Sequence, residues 1–120
     1  MRLAILFLTG LFTLAGAHAA EVDQAAALET LQDEDSLLID VRSAEEFADG
    51  ALPGAINLEH DRIAERIASV APDKDRPLVL YCRSGRRSSF AQDKLQALGY
   101  SRVINAGAYD DLLPLLERDE

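Results

Sequence analysis

The sequence predicts an α/β domain: a central, mostly parallel sheet with helices on both faces. Three observations predict it. Two short, nearly continuous apolar runs, Leu37 to Val41 and Leu78 to Tyr81, suit strands covered on both sides. Segments with apolar residues at helical spacing lie before, between and after them. Turn-forming Gly and Pro stand at the junctions. Strands and helices that alternate at this spacing imply right-handed crossovers and hence parallel strands.

The elements follow in order. Residues 1–19 precede the fold: Met1-Arg2, an apolar stretch from Leu3 to Leu14, and small residues around Ala17-His18-Ala19 form a secretory leader. Cleavage is expected after Ala19, with Ala20 as the neighbouring alternative. The apolar stretch is shorter than the roughly 20 residues of a membrane span and is broken by Thr and Gly, so no membrane anchor is expected after cleavage. Residues 20–120 then form one domain, about 100 residues, enough for a single modest core.

Val22 to Gln32 has a helical pattern with Ala25, Leu28 and Leu31 on one face. After the first strand, Ser43-Ala44-Glu45-Glu46 is a capping box opening a short helix that ends before Gly50. Leu52-Pro53-Gly54-Ala55 is turn chemistry leading to a brief strand near Ile56, and Asp61 to Val70 spaces Ile63, Ile67 and Val70 as a helix. A polar loop between Pro72 and Pro77 leads to the second strand. Ser88 to Leu98 is a helix with Ala91, Leu95 and Leu98 on one face and Gly99 past its end. Val103-Ile104 is a further strand, and Tyr109 to Leu116 a closing helix interrupted by Pro114.

The chain has 12 basic and 21 acidic side chains, a net charge of -9, and it becomes one unit more negative when Arg2 leaves with the leader. That balance excludes a nucleic-acid partner, whose phosphates would be repelled. Its one cysteine, Cys82, cannot form an internal disulfide in an exported chain, so it is either buried and inert or chemically used.

The surroundings of Cys82 favour use. Cys82-Arg83-Ser84-Gly85-Arg86-Arg87-Ser88 joins a strand end to a helix beginning near Ser88. Unpaired N–H groups and the positive end of the helix dipole make such a junction an anion site, and ligands of open parallel sheets bind at strand carboxyl ends. Three arginines within five residues add formal positive charge, and Gly85 lets the loop turn its N–H groups inward. Surroundings of this kind lower a cysteine from a pKa of ~8.5 to roughly 3.5–7.5.

This loop, together with Asp40-Val41-Arg42, Glu46-Phe47, Gly50, Pro53-Gly54-Ala55-Ile56-Asn57 and Asn105-Ala106-Gly107, resembles the rhodanese homology family over nearly the whole mature chain. The likeness is strongest to its short, single-domain, periplasmic thiosulfate sulfurtransferases of bacterial phage-shock type. It implies a Cys82 persulfide, thiosulfate as donor, cyanide or a thiol as acceptor, and a periplasmic location. It also implies that the loop from Cys82 to Arg87 cradles the transferred sulfur with backbone N–H groups. The related phosphatases and arsenate reductases place arginine after five intervening residues. Here arginine falls one position earlier, at Arg87, and the shorter loop fits one sulfur atom better than a tetrahedral oxyanion. Two positions depart from the family pattern: Ala51 where histidine is frequent, and Ala108 where a second glycine is frequent.

On this reading Cys82 is the nucleophile, and Arg83, Ser84, Gly85, Arg86 and Arg87 form the binding loop. Arg83 and Arg86 draw in the dianionic donor. Arg87 either joins them or turns inward to pair with Asp40, which then braces the loop. Arg42 either reaches the pocket or caps its own strand. Tyr81, Tyr100 and Tyr109 pack or line the rim, and His60 is a surface residue. No cofactor is required and no side chains have metal-ligand spacing. Partners are then small sulfur donors and acceptors, with a protein thiol as a further acceptor, and the protein acts as a monomer. Three other readings stand beside this one: a cysteine-based phosphatase or arsenate reductase, a sulfur carrier delivering persulfide to one partner, and a silent interaction domain, which an intact Cys82 disfavours.

Overall fold

The computed structural model describes residues 21–117. The leader assigned to residues 1–19 lies outside the described residues. Five helices and four strands alternate: α1 Gln24–Thr30, β1 Leu37–Asp40, α2 Ala44–Asp49, β2 Ile56–Asn57, α3 Ile63–Val70, β3 Leu78–Cys82, α4 Arg86–Ala97, β4 Val103–Ala108 and α5 Tyr109–Glu117. The four strands form one sheet in the order β2-β1-β3-β4, and every pairing is parallel. The fold is the α/β arrangement that the alternation of strands and helices predicts.

Side-chain alternation divides the core into two layers. Ile39, Leu78, Leu80 and Cys82 point to the face covered by α3 and α4, where Ile63, Ile67, Ala91 and Leu95 meet them. Leu38, Val79 and Tyr81 point to the other face, against Ala27 of α1 and Leu112 of α5. Cys82 is therefore aimed beneath the start of α4, and Tyr81 is aimed away from it.

The predicted elements differ from the structure at their ends, for local reasons. Asp23 accepts the N–H of Ala26 at 3.0 Å and so caps α1, which starts at Gln24, two residues later than the apolar pattern suggests. The buried residue of α1 is Ala27, while Ala25 is exposed. α4 begins at Arg86, two residues before the expected start, because Gly85 takes a left-handed conformation (φ +94°) that turns the chain into the helix at once. Leu98, expected inside, is exposed beyond the end of α4. α5 runs through Pro114 unbroken; the carbonyl that loses its helical partner belongs to Asp110, which faces solvent. β4 is four residues longer than Val103-Ile104, and its register against β3 slips between Leu80 and Tyr81: Leu80 opposes Asn105, and Tyr81 opposes Gly107. Bulges of this kind re-aim side chains beside functional sites.

Among the described residues no helix is long and apolar enough to cross a membrane, and no group of three His, Cys, Asp or Glu side chains could hold a metal ion.

Candidate active site

The last residue of β3 is Cys82, fully buried, with its sulfur under the first turn of α4. The N–H of Gly85 donates to Sγ at 2.9 Å, and the Ser88 hydroxyl lies 3.4 Å away. Burial pushes the thiol up, but the Ser88 hydroxyl and the backbone N–H groups of Ser88, Ser84 and Gly85 outweigh it, so the thiol lies below its ordinary pKa. The loop amides that bear on the sulfur thus come from the strand–helix turn and the first helical turn. Gly85 cannot readily be replaced: its φ is left-handed, and an added Cβ would stand 3.3 Å from Val22 and 3.5 Å from Gly107 Cα.

The three loop arginines take three positions. Arg83 and Arg86 are exposed at the mouth of the loop. Arg87 does not pair with Asp40. Its guanidinium meets the carboxylate of Glu46 on α2 in a two-pronged contact, Nη1 to Oε1 at 2.8 Å and Nη2 to Oε2 at 3.0 Å. The reason is geometric: starting α4 at Arg86 puts Arg87 in the first turn facing α2, while Arg42, two residues along the same strand end, already occupies Asp40. Arg83 reaches the same Glu46 carboxylate at 4.0 Å. Glu46 therefore fastens the loop to α2 and also closes the capping box with Ser43.

The Arg87 contact pulls the Glu46 carboxyl from its ordinary 4.5 down to about 2, against burial that works the other way. A carboxyl lowered by folding stabilises the protein fully above its unfolded value, and that contribution disappears as the pH falls through the folded one. Glu46→Gln should therefore be less stable than the parent near neutrality, with the gap in denaturation midpoint closing as the pH drops from 4.5 toward 2. A gap that stays constant across that interval would contradict this role of the ion pair.

Asp40 lies on the other face of the sheet from the sulfur. Arg42 donates to it from Nε at 2.9 Å and from Nη2 at 2.6 Å, and the Tyr81 hydroxyl donates at 2.7 Å. Arg42 Nη2 also donates to the Gly50 carbonyl at 2.7 Å, and the Leu52 N–H donates to the Tyr81 hydroxyl at 3.0 Å. Arg42 lies 4.5 Å from the Tyr109 ring centroid and 5.5 Å from that of Tyr81. Arg42 binds Asp40 at its own strand end and borders a cleft of about 210 Å³ beside Arg83, Glu46, Asp49 and Tyr109. The side-chain partners of Asp40 are thus Arg42 and Tyr81. Ala108 ends β4 opposite Cys82, and Ala51 precedes the buried Leu52.

Three residues of the site escape the sequence reading: Glu46 as loop anchor, Ser88 as sulfur contact and Asn105. Asn105 is fully buried, its Oδ1 accepting the Ser88 hydroxyl at 2.7 Å and its Nδ2 donating to the Gly85 carbonyl at 3.1 Å. A polar residue directly after the apolar Val103-Ile104 is the signal that could have flagged it.

Residues 23–111 match the rhodanese-like domain family. The chain belongs to the rhodanese-like family. The thiosulfate sulfurtransferase PspE of Escherichia coli K12 is 40% identical to it over 74 residues, which are 62% of this chain and 71% of that protein. A sulfurtransferase of Allochromatium vinosum is 42% identical over 86 residues, covering 71% of this chain and 78% of its own. Among solved structures, a rhodanese with anions from E. coli superposes with a TM-score of 0.62 at 39% identity, over 63% of this chain and 89% of that one. The rhodanese-like assignment agrees with the resemblance carried by the loop and by the Asp40-Val41-Arg42 segment.

Proposed function

We propose that this chain is a thiosulfate sulfurtransferase that works through a persulfide on Cys82. The observation that carries the reading is a buried, depressed thiol at a strand end that receives a loop N–H at 2.9 Å. In the first half-reaction the Cys82 thiolate attacks the outer sulfur of thiosulfate. A new Sγ–S bond forms, the S–S bond of thiosulfate breaks, and its electron pair leaves on sulfite. The outer sulfur of the persulfide is anionic, and the inward N–H groups of the loop hold that charge. In the second half-reaction cyanide or a thiol attacks the outer sulfur, and the Sγ–S electron pair returns to Cys82 as thiolate.

Arg83 and Arg86 supply the long-range attraction. The chain as a whole is acidic, and two exposed guanidinium groups at the loop mouth give a dianion a favourable path. Arg87, bound to Glu46, sets the loop's position. The reaction takes place in the periplasm after removal of the leader, by a monomer, with small thiols or a protein thiol as acceptors beside cyanide. An exported protein whose N-terminus reads Ala20 or Glu21 fits this location, and a retained leader contradicts it.

The activity test is thiocyanate formation from thiosulfate and cyanide by the purified chain. Arg83→Glu should raise the KM for thiosulfate by roughly tenfold at low ionic strength, with the difference shrinking as salt is added. No thiocyanate above background from the parent protein would overturn the function, and an unchanged KM in Arg83→Glu would remove Arg83 from donor capture.

A further inference from the structure

The hydroxyl of Ser88 has one proton and two neighbours that can take it. Its Oγ lies 3.4 Å from Cys82 Sγ and 2.7 Å from Asn105 Oδ1, and all three residues are fully buried. The Asn105 amide is fixed in orientation, because its Nδ2 donates to the Gly85 carbonyl at 3.1 Å while its Oδ1 accepts the N–H of Gly107 at 3.0 Å. Turning it over would set an NH2 group against the Gly107 N–H and an oxygen against the Gly85 carbonyl. The atom that faces Ser88 is therefore an acceptor with nothing to donate. Asn105 stands opposite Leu80, ahead of the slip in register between β3 and β4, and so shares the α4 side of the sheet with Leu80 and Val103.

Two arrangements of one hydroxyl follow. With Cys82 as a thiol, its S–H donates to Ser88 Oγ and Ser88 donates to Asn105. With an anionic sulfur there is no proton to give, so the Ser88 hydroxyl turns and donates to sulfur, and Asn105 Oδ1 retains only the Gly107 N–H. We propose that Asn105 is a positioning residue that sets how readily the Cys82 sulfur carries negative charge, by competing with it for the Ser88 proton. The same side chain holds the Gly85 carbonyl, so the loop N–H aimed at the sulfur and the hydroxyl beside it are governed from one point on β4. The nearby charged groups have partners of their own: Arg87 on α4 is bound to Glu46 of α2, and on β1 Asp40 is bound to the neighbouring Arg42.

The inference deepens the sulfurtransferase reading but is tested without thiosulfate, so either can fail alone. The measurement is the titration of Cys82, followed by thiolate absorbance and by the pH dependence of alkylation, in the parent, Ser88→Ala, Asn105→Ala and the double variant. Asn105→Ala frees the hydroxyl for the sulfur and should lower the cysteine's apparent pKa by about half a unit or more, the scale of one net hydrogen bond. Ser88→Ala should raise it, Ser88→Thr should restore the parent value, and in the Ser88→Ala background Asn105→Ala should no longer lower it. A shift of the same size in both backgrounds, no shift, or a rise in Asn105→Ala would overturn the proposal. Should Asn105→Ala not fold, Asn105→Asp serves: its carboxylate holds the Ser88 proton more firmly, so its upward shift must be larger with Ser88 present than in the Ser88→Ala background, and equal shifts overturn it.

Discussion

Cys82→Ser is expected to reduce thiocyanate formation to the uncatalysed background, a loss on the order of a thousandfold or more, while leaving the fold intact. Sulfur transfer requires a nucleophile that is ionised near neutrality and that can accept and release a sulfur atom through an S–S bond. A serine hydroxyl is neither ionised there nor able to form that bond. The fold should tolerate the change, because an oxygen at this position can accept the Gly85 N–H and exchange a hydrogen bond with Ser88, the partners that the sulfur has now. Steady-state rates, with circular dichroism as the control for folding, check both halves. Residual activity within tenfold of the parent would place the chemistry on another residue.

The largest effect on stability is expected at Arg42. Its guanidinium is the cationic partner of the buried Asp40, and removing one partner of a buried pair typically costs about 3–5 kcal/mol because the other charge is left uncompensated. Arg42→Ala also gives up the hydrogen bond to the Gly50 carbonyl and the contact with the Tyr109 ring. For a domain of this size that loss corresponds to a fall in Tm of roughly 15 °C or more. The double variant Asp40→Leu/Arg42→Met should recover much of it, since the cost lies in the unpaired charge more than in the absence of the pair. Thermal and chemical denaturation of the three proteins decide the point. A loss under about 1 kcal/mol in Arg42→Ala would mean that the pair is solvated and holds nothing in place.

The alternation of elements was legible because buried parallel strands are apolar throughout and the helices between them are not, as Leu37 to Val41 and Leu78 to Tyr81 show against Ile63, Ile67 and Val70. The nucleophile was legible for a different reason: the only cysteine stands between a strand and a helix with three arginines beside it. Pairings were less so. Whether Asp40 binds Arg42 or Arg87 depends on where α4 starts, and that turns on the backbone conformation of Gly85, which no hydrophobic period encodes. Glu46 completes the capping box that its spacing from Ser43 predicts, but the same carboxylate also takes Arg87 from across the site, 41 residues on. Asn105 was hidden because its contacts, the Ser88 hydroxyl and the Gly85 carbonyl, lie 17 and 20 residues away in the chain, a property of the packed strand and helix and not of either alone.

The central claim is that Cys82 carries the transferred sulfur, and the mass of the intact protein tests it most directly. After treatment with thiosulfate and removal of the excess, the mature chain should gain the mass of one sulfur atom, lose it on addition of cyanide, and show no gain as Cys82→Ser. A parent protein that gains nothing while its Cys82 also resists alkylation, or a gain that persists in Cys82→Ser, would contradict it.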